Sequence, residues 1–448
     1  MTDLVLGADL YGTLTSQLLG GEVESCAVMF ASEVSRSDKR RRLLAREVVF
    51  PEASRYVLRT SGRAELEPAF VAAVTKRAFR EGYATVWVHS HLGADRPNFS
   101  FTDDEGEAVL SKFLRVRIPN VDHAALVISE GGVSCRQLGG GSQIAVIVQG
   151  TDRVVLYPSG ASDGSDVIYD RQVRAFGPHA QELLQSLTVG IVGLGGTGSI
   201  VAQELAHLGV RQFLLIDPDV VERSNLNRIA GASLQAIGRH KVLVAEDLIK
   251  SISPSADVVA VRGDVTRTSV ALKLTDCDFI FGCTDSHGSR SVIQQISYQY
   301  LIPAIDLGST IIVEGGSIKH VIGRVQLLSP TFACLTCGKL LDPEQVRRDM
   351  MNEFERQVDP YIQGHREPAP AVMSLNGIIS SLAVSMMLSV CVGFPAPGRH
   401  LLYDGRRSSL RSVRVEADLT CYICSSIGSY ARGDSWPIFA RQGDDGAN

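Results

Sequence analysis

Two hydrophobic rhythms run along this chain. In the first 160 or so residues short apolar runs alternate with polar stretches: SCAVMF (25–30), TVWVHS (85–90), AALVIS (124–129), IAVIVQG (144–150) and RVVLYP (153–158). Runs of this length between polar breaks predict strands, and an amphipathic period over 64–81 predicts one helix among them. The stretch PSGASDGSD (158–166) is small and polar and reads as a linker. Beyond it the pattern becomes strand, glycine loop, helix. The segment 187–217, the run DFIFGCTDS (278–286) and IPAIDLGS (302–309) each fit that unit. Such alternation predicts a parallel sheet with helices on both faces. A helix near 376–392 then leads into a short α/β and cysteine-bearing tail. The expectation is two α/β domains, at 1–157 and 167–448, joined by the linker.

Length agrees, because 448 residues exceed one ordinary core. A hydrophobic share of 45% with 21% charged residues is that of a globular chain, and a net charge of −5 gives no footprint for nucleic acid. No apolar run reaches spanning length, and the N-terminus lacks the basic start and apolar core of a secretory signal, so a cytoplasmic protein is expected. Nine cysteines in a reducing compartment point to metal ligands, core residues or thiols rather than disulfides.

Candidate chemistry first gathers at VWVHSHLGADRPNFSFTDDE (86–105). His89 and His91 alternate at a strand end and so point to one side. Catalytic zinc takes about three protein ligands and leaves a position for water, whose pKa it lowers towards neutrality. Asp103 offers the third ligand, with Ser100 on the same loop. A carboxylate from elsewhere is needed as general base; Glu24, heading an apolar run, is the best candidate and Glu22 the runner-up. The plainer alternative is a histidine pair that caps a strand without metal. A distant Glu, H-x-H, a loop and S-x-x-D resemble the JAMM (Mov34/MPN/JAB) metalloproteases over residues 1–150. The resemblance implies an α/β zinc hydrolase in which His89, His91 and Asp103 hold zinc, Glu24 activates water and Ser100 helps stabilise the oxyanion. It also implies cleavage after the glycine tail of a ubiquitin-like protein. Leu92 stands where proline is common, and the loop from His91 to Ser100 is one residue longer than usual, so a shifted register would exchange Asp103 for Asp104.

A second constellation follows the linker. Gly193, Gly195 and Gly198 have the G-x-G-x-x-G spacing between a strand and a helix, and Asp217 ends the next strand. Glycines let backbone approach phosphates, the helix N-terminus favours their charge, and the acid suits ribose hydroxyls. Alone this describes an NAD-dependent oxidoreductase. Asn225, Arg228 and Lys241 follow, however, and Asp285 lies at the C-terminal end of a later strand. Asn, Arg, Lys and a carboxylate suit a triphosphate with Mg²⁺ better than a nicotinamide. The ensemble resembles the ThiF/MoeB-type ubiquitin-activating family over 167–430, a Rossmann-like, doubly wound adenylation fold. On that pattern Gly193, Gly195, Gly196, Gly198, Asp217, Asp219, Asn225, Arg228, Lys241 and Asp285 form the ATP site. YDRQVRAFG (169–177) matches the helix whose arginine, here Arg171, reaches a partner subunit's ATP, which implies a homodimer. The implied reaction is attack of a C-terminal glycine carboxylate on the α-phosphate, giving an acyl-adenylate and pyrophosphate.

Two CxxC knuckles, Cys334/Cys337 and Cys421/Cys424, fit a closed structural zinc site. Conjugating members of the family carry a nucleophilic cysteine after the first knuckle, and 338–377 holds none. Cys26, Cys135, Cys277 and Cys391 read as core, and Cys283 as packing beside the ATP site. The adenylate would then pass to a sulfur donor, to another protein's thiol, or to Cys283 after rearrangement. The charged stretch 342–370 corresponds to the family's crossover loop. Together the halves imply a bacterial enzyme that adenylates the tail of a ubiquitin-like or sulfur-carrier protein and processes or removes that protein with zinc. A conjugating enzyme or sulfur donor would be a further partner; nucleic acid and membrane would not. An NAD-dependent oxidoreductase with a metal-binding appendage, and a non-catalytic scaffold for a ubiquitin-like partner, are the alternatives.

Overall fold

The computed structural model describes residues 2–37, 40–95, 97–156, 167–351, 370–396 and 398–442. The predicted linker (158–166) and most of the crossover stretch (352–369) lie outside these residues. The chain forms two compact units, one of Met1–Gly160 with Gln299–Leu301 and Ser429–Pro437, the other of Ala161–Tyr298, Ile302–Gly428 and Ile438–Asn448.

In the first unit the strands are β1 (Thr2–Gly7), β2 (Cys26–Ser35), β3 (Arg41–Val49), β4 (Tyr56–Thr60), β5 (Arg63–Leu66), β6 (Ala84–Ser90), β7 (Ala124–Ser129), β8 (Gly132–Gln137), β9 (Ala145–Gln149) and β10 (Arg153–Val155). All but β4 and β5 form one mixed sheet in the order β10-β9-β1-β3-β2-β6-β7-β8; β4 and β5 are a separate hairpin. The helices are α1 (Ala8–Leu19), α2 (Pro68–Glu81) and α3 (Phe101–Arg117). Strand alternation divides the core. Ala27, Met29, Val86 and Val88 pack with Leu14 and Leu18 of α1. Val28, Phe30 and Trp87 pack on the other face with Val74 and Ala78 of α2 and Leu114 of α3. The sheet is therefore covered on both sides. Helix α2 starts later than the period over 64–81 predicts: Arg63–Leu66 pairs with β4, and Pro68, whose missing N–H costs nothing in a first turn, opens the helix.

In the second unit β11 (Thr188–Val192), β12 (Gln212–Ile216), β13 (Asp257–Val261), β14 (Phe279–Gly282), β15 (Ala304–Glu314), β16 (Ser317–Leu328), β17 (His400–Asp404) and β18 (Ser409–Ser412) make a second sheet. Its order is β13-β12-β11-β14-β15-β16-β17-β18. The predicted parallel sheet is only partly right. The first five strands are parallel, but β15 to β18 are antiparallel. The switch comes at Gly315–Gly316, whose φ values of 57° and 73° suit a two-residue hairpin turn. The helices are α4 (Asp170–Phe176), α5 (Pro178–Ser186), α6 (Gly196–Leu208), α7 (Lys241–Ile252), α8 (Thr268–Ala271), α9 (His287–Gln299), α10 (Pro343–Asp349) and α11 (Met373–Val392). After α11 no α-helix follows among the described residues, so the predicted α/β tail is strand and loop.

Helix α11 overturns one expectation. It is 20 residues long with mean hydropathy 1.9 and no charged residue, enough by length and composition to cross a membrane. Two thirds of that window is buried in the protein, against the sheet and α6. Its polar residues have partners there: Ser380 donates to the Thr197 carbonyl (3.0 Å) and Ser381 to Glu204 (2.6 Å). The run is hydrophobic all round because it is a core helix.

Candidate functional sites

The five parallel strands of the second unit take the order 3-2-1-4-5 in their own sequence, with the reversal between β11 and β14. Ligands of open α/β sheets bind outside the carboxyl ends of the strands at such a reversal. The glycine loop leaves β11 there. Gly193 has φ 88°, and a Cβ on it would lie 2.8 Å from the Cys283 carbonyl. A Cβ on Gly196 would lie 2.1 Å from Nδ2 of Asn376, and one on Gly198 only 1.8 Å from the Gly193 carbonyl. Gly195 meets nothing within 4 Å, so its side of the loop, at the head of α6, is open.

Asp217 is buried, and its carboxylate is already engaged: Oδ2 accepts from the Leu194 amide (2.6 Å) and Oδ1 from the Asp219 amide (2.8 Å). The role expected for it, taking ribose hydroxyls, is thus shared with holding the glycine loop; each oxygen keeps a second lone pair. Burial raises its pKa, while Lys241 and the two amides act against that. Lys241 opens α7 and pairs with Asp219 at 2.7 Å. Asn225 is buried in a short turn, accepting from the Glu222 amide (3.3 Å) and donating to Ser224 (3.3 Å). Arg228 donates to the Ser224 carbonyl (2.6 Å), and its Cδ would lie 3.5 Å from a Cβ on Gly196, so its stem borders the loop. Asp285 is exposed just beyond β14, and Arg171 is exposed on α4. Two residues that sequence reasoning missed also belong here. Asn376 packs on Gly196 and accepts from Ser309 (2.8 Å); an amide heading an otherwise apolar run was the available signal. Arg290 donates to the Thr284 carbonyl (3.1 Å) and pairs with buried Asp306 (3.3 Å). Cys283 lies beneath the loop, its thiol pushed up by burial and then by Asp306. Cys26, Cys135, Cys277 and Cys391 are buried.

In the first unit His89 is the penultimate residue of β6, on the sheet face of Trp87, and the His91 amide donates to the Ile128 carbonyl of β7 (2.9 Å). The two Nε2 atoms are 3.1 Å apart; Asp103 is 3.0 Å from His89 and 3.5 Å from His91. Asp103 arrives there through a capping box. Ser100 is the N-cap of α3, its Oγ accepts from the Asp103 amide (3.3 Å), and Asp103 Oδ2 accepts from the Ser100 amide (2.6 Å). As an acceptor, Ser100 keeps its own O–H to donate. Asp104 turns instead to Arg136 (2.6 Å), so the register brings Asp103 to the imidazoles. Burial acts against ionisation of Asp103, yet the bonds from His89 and His91 hold it well below the usual carboxylate range. Hydrogen bonding to Asp103 raises His91 in turn. Glu24 is buried, 4.0 Å from His91, and burial raises its pKa against the pull of both imidazoles. Its backbone is fixed by Thr60 (2.8 Å) and by Arg59 (3.1 Å), a clamp that no sequence pattern announced. Glu22 is exposed.

Both clusters fit zinc by their donors. The ligand atoms of His89, His91 and Asp103 lie within 4.8 Å of one another, as do those of the four cysteines. Tetrahedral bonds of about 2.0–2.1 Å to N and O put ligands about 3.3 Å apart, and bonds of about 2.3 Å to sulfur put them about 3.8 Å apart. The imidazole–carboxylate distances bracket the first value. Cys334–Cys337 (3.7 Å), Cys334–Cys421 (3.6 Å) and Cys337–Cys424 (3.6 Å) approach the second.

A glycine loop at the reversal of a doubly wound sheet, with Arg228 beside Gly196 and the Asp217 carboxylate on the Leu194 amide, has the form of a nucleotide-binding α/β domain. The ThiF family model matches residues 169–423, more than half of the sequence, and the chain belongs to that family. The dehydrogenase reading of the glycine motif gives way to this membership. Among its relatives is the molybdopterin-synthase adenylyltransferase of Escherichia coli (strain K12), 27% identical over 267 residues, which are 59% of this chain and 98% of that protein. The sulfur carrier protein adenylyltransferase of Thermus thermophilus is 26% identical over 55% of this chain and 86% of its own. Ubiquitin-like modifier-activating enzyme 5 of Oryza sativa subsp. japonica is 31% identical over 54% of this chain and 56% of its own.

The contact beneath the glycine loop yields a direct test. In Gly198→Ala the new methyl meets the Gly193 carbonyl at 1.8 Å and the loop must move. Overpacking of this kind costs about 1–3 kcal/mol of stability, and the displaced loop no longer holds its amides where the phosphates sit, so ATP affinity by calorimetry should fall. Unchanged affinity would place the nucleotide elsewhere.

Proposed function

We propose that the second unit adenylates the C-terminal glycine of a ubiquitin-like or sulfur-carrier protein, and that the first is a JAMM-type zinc peptidase that processes or removes the same protein. The observation that carries the first half is the glycine loop at the strand reversal with Arg228 beside it, in a chain whose relatives include adenylyltransferases. A carboxylate oxygen of the partner's tail bonds to the α-phosphorus, the bond to the β-phosphate oxygen breaks, and pyrophosphate leaves. Arg228 and Lys241 offset charge that grows on the α-phosphate. Lys241 exchanges Asp219, its partner at 2.7 Å, for phosphate. Asp285, exposed at the crevice, would hold Mg²⁺, which supplies counter-charge to the polyphosphate. Arg171 on α4 is assigned to a partner copy's nucleotide, and the protein to a homodimer. With the Cys283 thiol half-buried under the loop and pushed up in pKa, the adenylate passes to an acceptor from outside the chain.

The second half rests on His89, His91 and Asp103 converging within zinc-ligand distances while buried Glu24 stands 4.0 Å from His91. Zinc there would polarise the scissile carbonyl and acidify water. Glu24 takes the proton from the attacking water and returns it to the leaving amine. Ser100 Oγ, directed by its cap position, donates to the oxyanion. The four-cysteine cluster would hold a second, structural zinc.

Three measurements decide these assignments. Metal analysis of native protein should give about two zincs per chain, one lost in His89→Ala and the other in Cys334→Ala; one zinc or none would remove a site. Asp285→Ala should abolish ATP–pyrophosphate exchange and leave peptide cleavage intact, whereas joint loss would show that the two activities are not separate. Glu24→Gln should retain zinc and lose hydrolysis by about a hundredfold or more; full activity would move the base elsewhere.

A further inference from the structure

The turn that presents Asp285 is held from outside by a carboxylate that the chemistry above does not use. Asp285 lies between β14 and α9, and its carboxylate has no hydrogen-bond or ion-pair partner among the described residues, whereas both neighbours are fixed. Thr284 is held through its carbonyl by Arg290, which rests on buried Asp306. On the other side Asp349, the last residue of α10, accepts from the Ser286 hydroxyl (2.8 Å) and the Gly288 amide (2.9 Å) with one oxygen. Ser286 Oγ in turn accepts from the Ser289 amide (3.2 Å). A Cβ on Gly288 would lie 2.6 Å from Cβ of Asp349, so the approach depends on that glycine. The segment is fixed twice more, by the Asp342 amide on Nδ1 of His287 (3.0 Å) and by Arg441 on the Met351 carbonyl (3.1 Å).

We infer that Asp349 is a positioning residue for Asp285. The first amides of a helix have no partner within it. Ser286 is the N-cap of α9: its Oγ accepts from the Ser289 amide (3.2 Å), as Ser100 does in α3, and its carbonyl takes the first helical bond, from Arg290 (3.1 Å). Asp349 takes the next amide, that of Gly288, together with the Ser286 hydroxyl, and supplies the negative charge the helix end favours. Asp285 stands directly before the cap residue, so the bond that fixes Ser286 also fixes where Asp285 is presented. A residue more than sixty positions along the chain thereby holds the turn from which Asp285 faces a ligand.

The inference rests on the proposed ATP site, and the test separates the two. The probe is Mn²⁺ with ATP, bound to the full chain and read by electron paramagnetic resonance, with metal-free ATP affinity measured in parallel. Asp349→Ala should weaken Mn²⁺ in the ATP complex about fivefold, the scale of one cap, with metal-free ATP affinity unchanged. Asp349→Asn, whose Oδ1 still accepts from Gly288, should lose less, and Ser286→Ala should shift Mn²⁺ in the same direction from the other side of the bond. Unchanged Mn²⁺ affinity in Asp349→Ala, or an equal loss of metal-free ATP affinity, would overturn the positioning role. Asp285→Ala leaving Mn²⁺–ATP binding intact would instead overturn the ATP-site reading beneath it.

Discussion

The nucleotide half of this protein depends on a contact with no room for a side chain. Gly198 passes under the Gly193 carbonyl, and Gly193 passes over the carbonyl of Cys283, so the ends of β11 and β14 and the head of α6 meet within one layer of backbone. That closeness leaves donors at the helix end pointing outward, which is what a polyphosphate requires. It also explains why Asp217 is buried: its carboxylate takes amides on both sides and keeps the loop and the turn after β12 in one register.

The first unit solves a related problem with side chains. Two imidazoles and a carboxylate are brought together at the end of β6, where Asp103 serves at once as a helix cap and as the acceptor facing both rings. The positive end of α3 and the imidazoles favour the same ionised state. Glu24 differs because it arrives on a buried edge with no such donors on its carboxylate, and its proton affinity rises. Two acids close together are thus set to opposite tendencies by their surroundings.

Much of this was legible in the sequence because it is carried by local patterns. The glycine spacing, H-x-H with S-x-x-D, and the two CxxC knuckles each sit on one short segment. What was missed comes from packing between distant segments. Helix α3 has only Glu107, Ser111 and Leu114 buried, so its apolar stripe is too thin to announce it. The reversal at Gly315–Gly316 turned the far half of the second sheet antiparallel, which strand composition alone does not reveal. The apolar run of α11 shows the reverse error: it was overlooked as long enough to span a bilayer, and its burial comes from neighbours that the run itself cannot show. The Arg59 clamp on Glu24 and the Asn376 amide against Gly196 involve partners from separate stretches of chain, beyond any window of sequence.

The cysteine cluster has a consequence in polymer terms. Cys337 and Cys421 are separated by 83 residues, and a metal shared by the two knuckles would tie that length, α10 and α11 included, into a ring. Closing such a ring removes configurations from the unfolded chain in proportion to the logarithm of its length, independently of any contact made inside it. A metal held by all four sulfurs would therefore act as a cross-link, and a chelator would lengthen the free chain as well as empty the site.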